Sequence, residues 1–181
     1  KGPNVMMGYY KDETRTNEVI KNGYFHTGDI GHIDEDGFLK ITDRKKEMFK
    51  TSGGKYVAPQ VIENVIKQSL FIEQIMVIGE GQKHPAALIQ PNFETVNAWL
   101  SEHGKKELSP QEMSSNPDVV NKIMADVEKA NEQFAQWEKV KKIVLTTEPW
   151  TVDSGHLTPT MKLRRKIIAD KYSSDIEGIY A

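Results

Sequence analysis

The sequence lacks several features that would assign it to a familiar class of protein. It has no cysteine, which excludes disulfide bonds, thiolate metal sites and a cysteine nucleophile together. It contains no apolar run approaching the roughly 20 residues that a membrane-spanning helix needs. Its formal net charge is only −2 over 181 residues, so no global field draws it to nucleic acid or anionic lipid. With 38% hydrophobic and 28% charged residues, the composition indicates a globular protein.

The beginning of the chain is rich in turn-forming residues. The opening "KGPNVMMGYY" lacks an initiator Met and begins in mid-pattern, so we expect the chain to be a piece of a longer protein. Further on, Asp36-Gly37 lies between "IGHI" and "FLKIT". These are the residue types of a tight turn between two strands, and they predict a β-hairpin.

Three short apolar runs predict strands, and a periodic segment before them predicts a helix. "IMVI" (75–78) and "AALIQ" (86–90) are joined by "GEGQKHP" and indicate a buried antiparallel pair, and "IVL" (143–145) indicates another strand. A helix is expected to begin at Pro59. Its apolar face is formed by Val61, Ile62, Val65, Ile66 and Leu70.

Further helices are predicted towards the end of the chain. "FETVNAWL" is a short one, and Asn116-Pro117 opens a long one. Its predicted core positions are Val120, Ile123, Met124, Val127, Ala130, Phe134 and Trp137. A terminal helix, "TMKLRRKIIADKY", follows Thr158-Pro159. The predicted fold class is α+β, with a small sheet of an antiparallel pair plus additional short strands, flanked by helices and preceded by the hairpin segment.

The sequence contains residues that resemble metal or phosphate sites, but none of them has the complete pattern of such a site. The five histidines lie at positions without metal-ligand spacing, which is typical of surface histidines. The loop after His32 resembles a calcium loop at three positions, but His32 and Asp43 stand where the first and last ligands belong. "SGGK" resembles the end of a phosphate loop, but Tyr56 replaces the required Ser or Thr. The sequence therefore predicts no metal site.

Two basic segments need a separate explanation. The stretch "KITDRKKEMFKTSGGKYVAPQVIE" (40–63) is longer, more basic and richer in glycine than an ordinary connection of two to six residues. "MKLRRK" (161–166) fits either a solvated helix face or a nucleic-acid patch. Lys162 stands where a turn meets the terminal helix, so its long side chain could reach into a cleft. A binding module for nucleotide or nucleic acid is therefore one hypothesis.

Taken in order along the chain, four segments resemble the late motifs of the adenylate-forming superfamily. They are "GPNVMMGYY", "GYFHTGDIG", "TDRKKEMFKTSGGKYVAPQVIE" and "LTPTMKLRRK". Their sequences are most similar to those of the long-chain fatty acyl-CoA synthetases of bacteria. The resemblance implies that residues 1–43 are the last strands and hairpin of a large N-terminal AMP-binding domain, and that residues 44–181 are the mobile C-terminal domain.

The resemblance implies roles for individual residues in the adenylation step, in which a fatty acid and ATP give acyl-AMP and pyrophosphate. Asp29 matches the carboxylate that accepts hydrogen bonds from the ribose hydroxyls of the nucleotide. Arg44 matches an arginine that also contacts the nucleotide. Lys162 matches the catalytic lysine that bridges the substrate carboxylate and phosphate oxygens.

The resemblance also implies roles in the second step, the transfer of the acyl group to CoA. Lys46 matches the hinge about which the C-terminal domain turns between the two half-reactions. Ser52, Gly53 and Gly54 match the loop that lines the channel for the pantetheine arm of CoA, where glycine lets the backbone come close to a narrow ligand.

The implied substrates are a fatty acid, ATP and CoA, with Mg²⁺ bound mainly outside this chain. The implied partner is the missing N-terminal domain, without which we expect the chain to be inactive. We expect a cytoplasmic protein, with peripheral membrane association left open, and no nucleic-acid partner. Other branches of the superfamily (aryl-CoA ligases, peptide synthetases, luciferase-like ligases) remain alternatives. The acyl pocket, which would set the chain length of the fatty acid, is implied to lie outside this chain.

Overall fold

The protein divides into two compact units. The computed structural model describes residues 1–45 and 47–181, and for residues 42–44 it describes the backbone alone. Unit 1 comprises residues 1–47 and unit 2 comprises residues 48–181. Among the described residues, every helix is too short or too polar to cross a membrane.

Unit 1 consists of one short helix and two small hairpins. Its elements are α1 (Glu13–Val19), β1 (Ile20–Lys21), β2 (Tyr24–Phe25), β3 (Asp29–Ile33) and β4 (Leu39–Arg44). β1 pairs with β2 and β3 with β4, both antiparallel. The predicted hairpin is therefore confirmed as β3–β4. Its turn is closed by Asp34, whose carboxylate accepts the Phe38 N–H at 2.8 Å, and Gly37 has a positive φ of 85°.

Unit 2 contains the central sheet. Its elements are β5 (Phe49–Lys50), β6 (Tyr56–Val57), α2 (Pro59–Ile66), β7 (Ile72–Ile78), β8 (Ala86–Pro91), α3 (Phe93–Glu102), α4 (Pro110–Ser115), α5 (Pro117–Asn131), β9 (Lys142–Leu145), α6 (Arg165–Lys171) and α7 (Ser173–Tyr180). β5 and β6 form a separate antiparallel ribbon. The sheet has the order β7-β8-β9, with β7 antiparallel and β9 parallel to β8.

Helices cover both faces of this sheet. Because side chains alternate along a strand, Ala87 and Ile89 of β8 face a core cluster that includes residues of α2, α3, α4 and α5. Ala86 and Leu88 face a second cluster that includes Trp150 and residues of α6 and α7. All six residues of β8 are buried as a result. This confirms the α+β class and explains why β8 is a continuous apolar run rather than an alternating one.

The long helix ends earlier than its periodicity predicts. α5 stops at Asn131, so Phe134 and Trp137 lie beyond it. The Asn131 side chain donates to the Val140 carbonyl at 2.8 Å and accepts the Val140 N–H at 3.0 Å, which closes residues 131–140 into a loop. Phe134 still packs on the core from this loop. Trp137 is 45% exposed, so its prediction as a core residue was wrong.

Two other helix predictions need correction. The terminal helix begins at Arg165, because Met161 has a left-handed φ of 59° that no right-handed helix accommodates. It ends at Lys171, one residue before the predicted end, and a further helix that was not predicted, α7, follows from Ser173. α2 ends at Ile66, so Leu70 lies past its apolar face and is 78% exposed. The periodicity missed α1 and α4, which are only seven and six residues long.

Candidate functional site

The ribbon β5–β6 holds the predicted glycine loop on a rigid base. Thr51 is buried, and its N–H donates to the Lys55 carbonyl at 2.9 Å. The Thr51 hydroxyl accepts the Lys55 N–H at 3.2 Å. The Ser52 N–H donates to the Gln82 carbonyl at 2.9 Å, which ties the loop to the connection between β7 and β8. Ser52, Gly53 and Gly54 are all exposed, so the loop presents its backbone to solvent from a fixed position.

The two glycines of this loop are there for different reasons. Gly54 has a φ of 80°, a conformation that side chains with a Cβ rarely adopt. Gly53 does not have a positive φ, and a Cβ added there would meet nothing nearer than the Thr51 hydroxyl at 3.9 Å. The fold therefore explains Gly54 but not Gly53. A ligand that needs the backbone surface at Gly53 would explain it.

Lys162 is presented by a second rigid turn. The Thr158 N–H donates to the Lys162 carbonyl at 2.8 Å, and the Lys162 N–H donates to the Thr158 hydroxyl at 3.1 Å. Leu157 and Leu163 pair across this turn and pack in the second core cluster. Lys162 itself is exposed, and the part of the chain that the structure describes gives it no acidic partner. A fixed backbone with an unengaged ammonium group suits a residue that meets a ligand.

An ion pair ties the helix after the Lys162 turn to the helix after the glycine loop. Arg165, the first residue of α6, donates to Glu63 of α2 through both guanidinium nitrogens, at 2.9 and 2.6 Å. Glu63 is buried and also accepts the Val77 N–H at 2.7 Å. A bidentate, charge-assisted pair of this kind fixes orientation as well as distance. Both predicted ligand-facing turns of unit 2 thus adjoin one rigid α2–α6 junction.

Sequence reasoning missed this pair, although a signal was present. Glu63 lies within the buried set Pro59, Ile62, Glu63 and Ile66 of α2. A carboxylate on an apolar helix face needs a partner, so the pattern called for a cation elsewhere. The pattern does not identify the cation, because Arg165 is 102 residues away in the sequence.

A buried histidine lies just before the Lys162 turn. His156 is 2% exposed, and its Nδ1 lies 2.7 Å from the Ser154 hydroxyl. Burial lowers the pKa of His156, and the charge of Lys171 lowers it further, while Glu148 acts in the opposite direction. The imidazole is therefore neutral near neutral pH and acts as part of the support of the turn.

The predicted nucleotide residues of unit 1 lie at the start of β3 and the end of β4. Asp29 is the first residue of β3 and is exposed, and its N–H donates to the Thr27 hydroxyl at 3.1 Å. Arg44 pairs with Asp29 in the strand register, but its side chain lies outside the described residues. Lys46, the predicted hinge, also lies outside them. Within the described ranges, the structure shows no group of three or more His, Asp or Glu side chains that could hold a metal ion.

Comparison with known proteins gives consistent matches along the chain. A family model described as the AMP-binding enzyme C-terminal domain matches residues 46–181. A long-chain-fatty-acid--CoA ligase of Mycobacterium tuberculosis is 40% identical over 99% of this chain, and long-chain-fatty-acid--CoA ligase 1 of Homo sapiens is 40% identical over 100% of it. The chain covers 30% and 26% of those two proteins. It therefore spans between a quarter and a third of the length of these curated relatives.

Solved structures share the fold. One is the A-PCP didomain of a carboxylic acid reductase from Segniliparus rugosus in complex with AMP, with a TM-score of 0.82 at 24% sequence identity. The match covers 100% of this chain and 24% of the reductase chain. Another is a fatty acyl CoA synthetase of Mycobacterium tuberculosis, with a TM-score of 0.51 at 27% sequence identity. That match covers 94% of this chain and 28% of the synthetase chain. At 24% identity the first likeness shows the fold alone.

Proposed function

The chain belongs to the family of AMP-binding enzyme C-terminal domains, as its motifs predicted, and from that premise we propose that it is the C-terminal part of an AMP-forming long-chain fatty acyl-CoA ligase. The observation that carries this proposal is the 40% identity to long-chain-fatty-acid--CoA ligases over nearly the whole chain. The full protein would convert a fatty acid and ATP to acyl-AMP and pyrophosphate, and then transfer the acyl group to the thiol of CoA. A module that binds nucleic acid has no comparable support.

Lys162 is the proposed catalytic residue of the adenylation step. Negative charge accumulates on the oxygens around phosphorus as the carboxylate attacks, and an ammonium group already fixed there stabilises that charge. The exposed position of Lys162 on a hydrogen-bonded turn supports this role. The Glu63–Arg165 pair would keep the turn in place.

The glycine loop is the proposed contact for CoA in the second step. The pantetheine arm is narrow and carries amides, so it can lie along an exposed backbone that has no Cβ. Gly53 is exposed, and the fold places no demand for glycine at this position. Ser52 and Gly54 would line the same channel.

Unit 1 would supply the nucleotide contacts. Asp29 would accept hydrogen bonds from the ribose hydroxyls and Arg44 would contact the nucleotide, with Lys46 as the hinge. We assign residues 1–43 to the end of the N-terminal domain and residues 44–181 to the C-terminal domain. Mg²⁺ would neutralise phosphate charge. As the resemblance implies, it would be bound mainly outside this chain.

The test is a chimera in which this chain replaces the matching 30% of the Mycobacterium tuberculosis ligase. Lys162→Ala should lower palmitate-stimulated ATP–pyrophosphate exchange by roughly 10²–10³-fold, the loss typical of one preorganised group in a transition state. It should leave CoA attack on preformed palmitoyl-adenylate intact. Lys166→Ala, an exposed lysine four residues away, is the matched control and should behave as wild type.

The hinge provides the reciprocal variant. Lys46→Pro fixes φ near −65°, so it should slow the CoA step while sparing exchange. If Lys162→Ala and Lys46→Pro each slowed both half-reactions equally, this would contradict the proposed roles of Lys162 in adenylation and of the Lys46 hinge in acyl transfer. The 181-residue chain alone should show exchange at background, and activity above background would mean that the proposed need for an N-terminal domain is wrong.

A further inference from the structure

The glycine loop is supported by the β7–β8 connection, residues 79–85. The Gly81 N–H donates to the Lys50 carbonyl at 2.8 Å, and the Ser52 N–H donates to the Gln82 carbonyl at 2.9 Å. The first bond reaches the strand that enters the loop, and the second reaches the first residue of the predicted ligand-facing stretch. The position of the glycine loop therefore depends on the position of this connection.

Tyr180, the last residue of α7, contacts both ends of the β7–β8 connection. Its hydroxyl lies 3.3 Å from the carbonyl oxygen of Ile78, where β7 ends, and 3.2 Å from that of His84, two residues before β8. One hydroxyl proton is thus shared between two acceptors. The Tyr180 ring also packs against the His84 ring, with the centroids 5.6 Å apart. Burial raises the pKa of Tyr180 to about 12, so the hydroxyl remains a donor near neutral pH.

The end of α7 is itself fixed to the sheet. Lys142, the first residue of β9, donates to the Ile179 carbonyl at 2.5 Å, and a cation at the C-terminus of a helix interacts favourably with the helix dipole. Ile179 is buried in the second core cluster, and Tyr180 packs against the same cluster. The Tyr180 hydroxyl therefore reaches the β7–β8 connection from a fixed helix end. Contacts run without a break from α7 through this connection to the glycine loop.

A second tyrosine of the same core cluster provides a comparison. Tyr172 is buried, and its hydroxyl accepts the indole N–H of Trp150 at 3.4 Å. In the part of the chain that the structure describes, this hydroxyl makes no hydrogen bond to residues 79–85. Both tyrosines place a hydroxyl at the second core cluster, but the Tyr180 hydroxyl is bonded to the support of the glycine loop.

We propose that Tyr180 is a positioning residue for acyl transfer, which holds the β7–β8 connection and thereby keeps the glycine loop where it receives the pantetheine arm of CoA. This inference rests on the proposed function, because it takes CoA as the ligand of the glycine loop. A loop whose position varies must be ordered when the ligand binds, and this ordering lowers the affinity. Tyr180 would act on the second half-reaction, because Lys162 is presented by a separate hydrogen-bonded turn.

The experiment compares Tyr180→Phe with Tyr172→Phe in the chimera with the Mycobacterium tuberculosis ligase. Each substitution removes one hydroxyl at the second core cluster and keeps the ring. Tyr180→Phe should raise the KM for CoA, measured in acyl transfer from preformed palmitoyl-adenylate, by roughly 2- to 12-fold, the range for one net hydrogen bond. The kcat of transfer and the rate of ATP–pyrophosphate exchange should not change. Tyr172→Phe should leave the KM for CoA at the wild-type value.

Hydrogen exchange of the 181-residue chain measures the support of the loop without any ligand. The amides of Gly81 and Ser52 donate the two bonds that join the connection to the loop. Both amides should exchange faster in Tyr180→Phe than in the wild-type chain, because the connection then opens more often. In Tyr172→Phe they should exchange at the wild-type rate.

The proposal would be overturned by an unchanged KM for CoA in Tyr180→Phe, or by an equal rise of this KM in Tyr172→Phe. Unchanged exchange of the Gly81 and Ser52 amides in Tyr180→Phe would also overturn it. These failures are distinct from a failure of the proposed function. If the chimera without substitutions forms no palmitoyl-CoA, the proposed function is wrong and the role of Tyr180 in acyl transfer is wrong with it. A chimera that forms palmitoyl-CoA with an unaffected KM in Tyr180→Phe contradicts the role of Tyr180 alone.

Discussion

The two units differ in the exposure of apolar residues on their strands. Ile33 and Leu39 of unit 1 are 71% and 67% exposed, whereas Ile75 and Leu88 of unit 2 are 2% and 0% exposed. None of the described residues of unit 1 is buried, and Met7, Tyr10 and Phe38 add to its exposed apolar surface. Unit 2 forms two core clusters across a central sheet. Unit 1 has strands without a core, and exposed apolar surface of this kind is typical of an interface with another domain.

The largest effect should come from matched truncations in the two units. Ile89→Ala removes part of a side chain that is 0% exposed, so it should lower the free energy of unfolding of the 181-residue chain by about 2–5 kcal/mol. Leu39→Ala, at a strand position that is 67% exposed, should change it by no more than about 0.5 kcal/mol. Urea unfolding of both variants measures the difference. Similar losses would show that unit 1 has a core of its own in solution.

The next effect tests the contrast between structural and ligand-facing positions inside unit 2. Gly54→Ala forces a side chain into a left-handed conformation, at a cost of about 1–2 kcal/mol in the free energy of unfolding. Gly53→Ala should leave stability unchanged, because the added methyl meets only ordinary contacts. In the chimera, Gly53→Ala should slow acyl transfer to CoA but not exchange. A stable Gly53→Ala variant with normal acyl transfer would remove the ligand-based reason for this glycine.

A smaller effect is the pH dependence that buried His156 should give to unit 2. Its folded-state pKa is lowered, so the unfolded chain takes up the proton first as pH falls below about 6.5, the ordinary value. The free energy of unfolding should therefore be highest above pH 6.5 and should decrease as pH falls towards the folded-state pKa. Urea unfolding of His156→Gln should lack this part of the decrease. His32→Gln, at an exposed position of unit 1, should keep it, and the opposite result would place the titrating group elsewhere.

The smallest expected effect is that of removing unit 1 altogether. If unit 2 carries its own cores, residues 48–181 should unfold with the same midpoint and free energy as the unit 2 transition of the whole chain. Limited proteolysis of the whole chain should cut within residues 1–47 before it cuts within α5. Early cleavage of α5, or a clear loss of stability on deletion, would show that unit 1 supports unit 2.

The sequence by itself determined the elements whose patterns are local. Periodicity placed α2, α3 and the start of α5, the two apolar runs placed β7 and β8, and Asp36-Gly37 placed the hairpin turn. Motif order along the chain was also enough to identify the family, because it needs no knowledge of contacts. The roles of Asp29, Arg44, Lys46, Ser52, Gly53, Gly54 and Lys162 remain predictions from that resemblance.

Only the tertiary structure decided where the helices end and which residues distant in the sequence come into contact. α5 ends at Asn131 because that side chain bonds to Val140 nine residues later, although the residues that follow would suit a helix. Arg165 meets Glu63, and Lys55 meets Trp137, because the sheet and its helices bring remote segments together. Local propensities are worth a few tenths of a kcal/mol per residue, whereas a buried carboxylate without a partner costs several. The long-range contacts therefore fixed the supports of the candidate site.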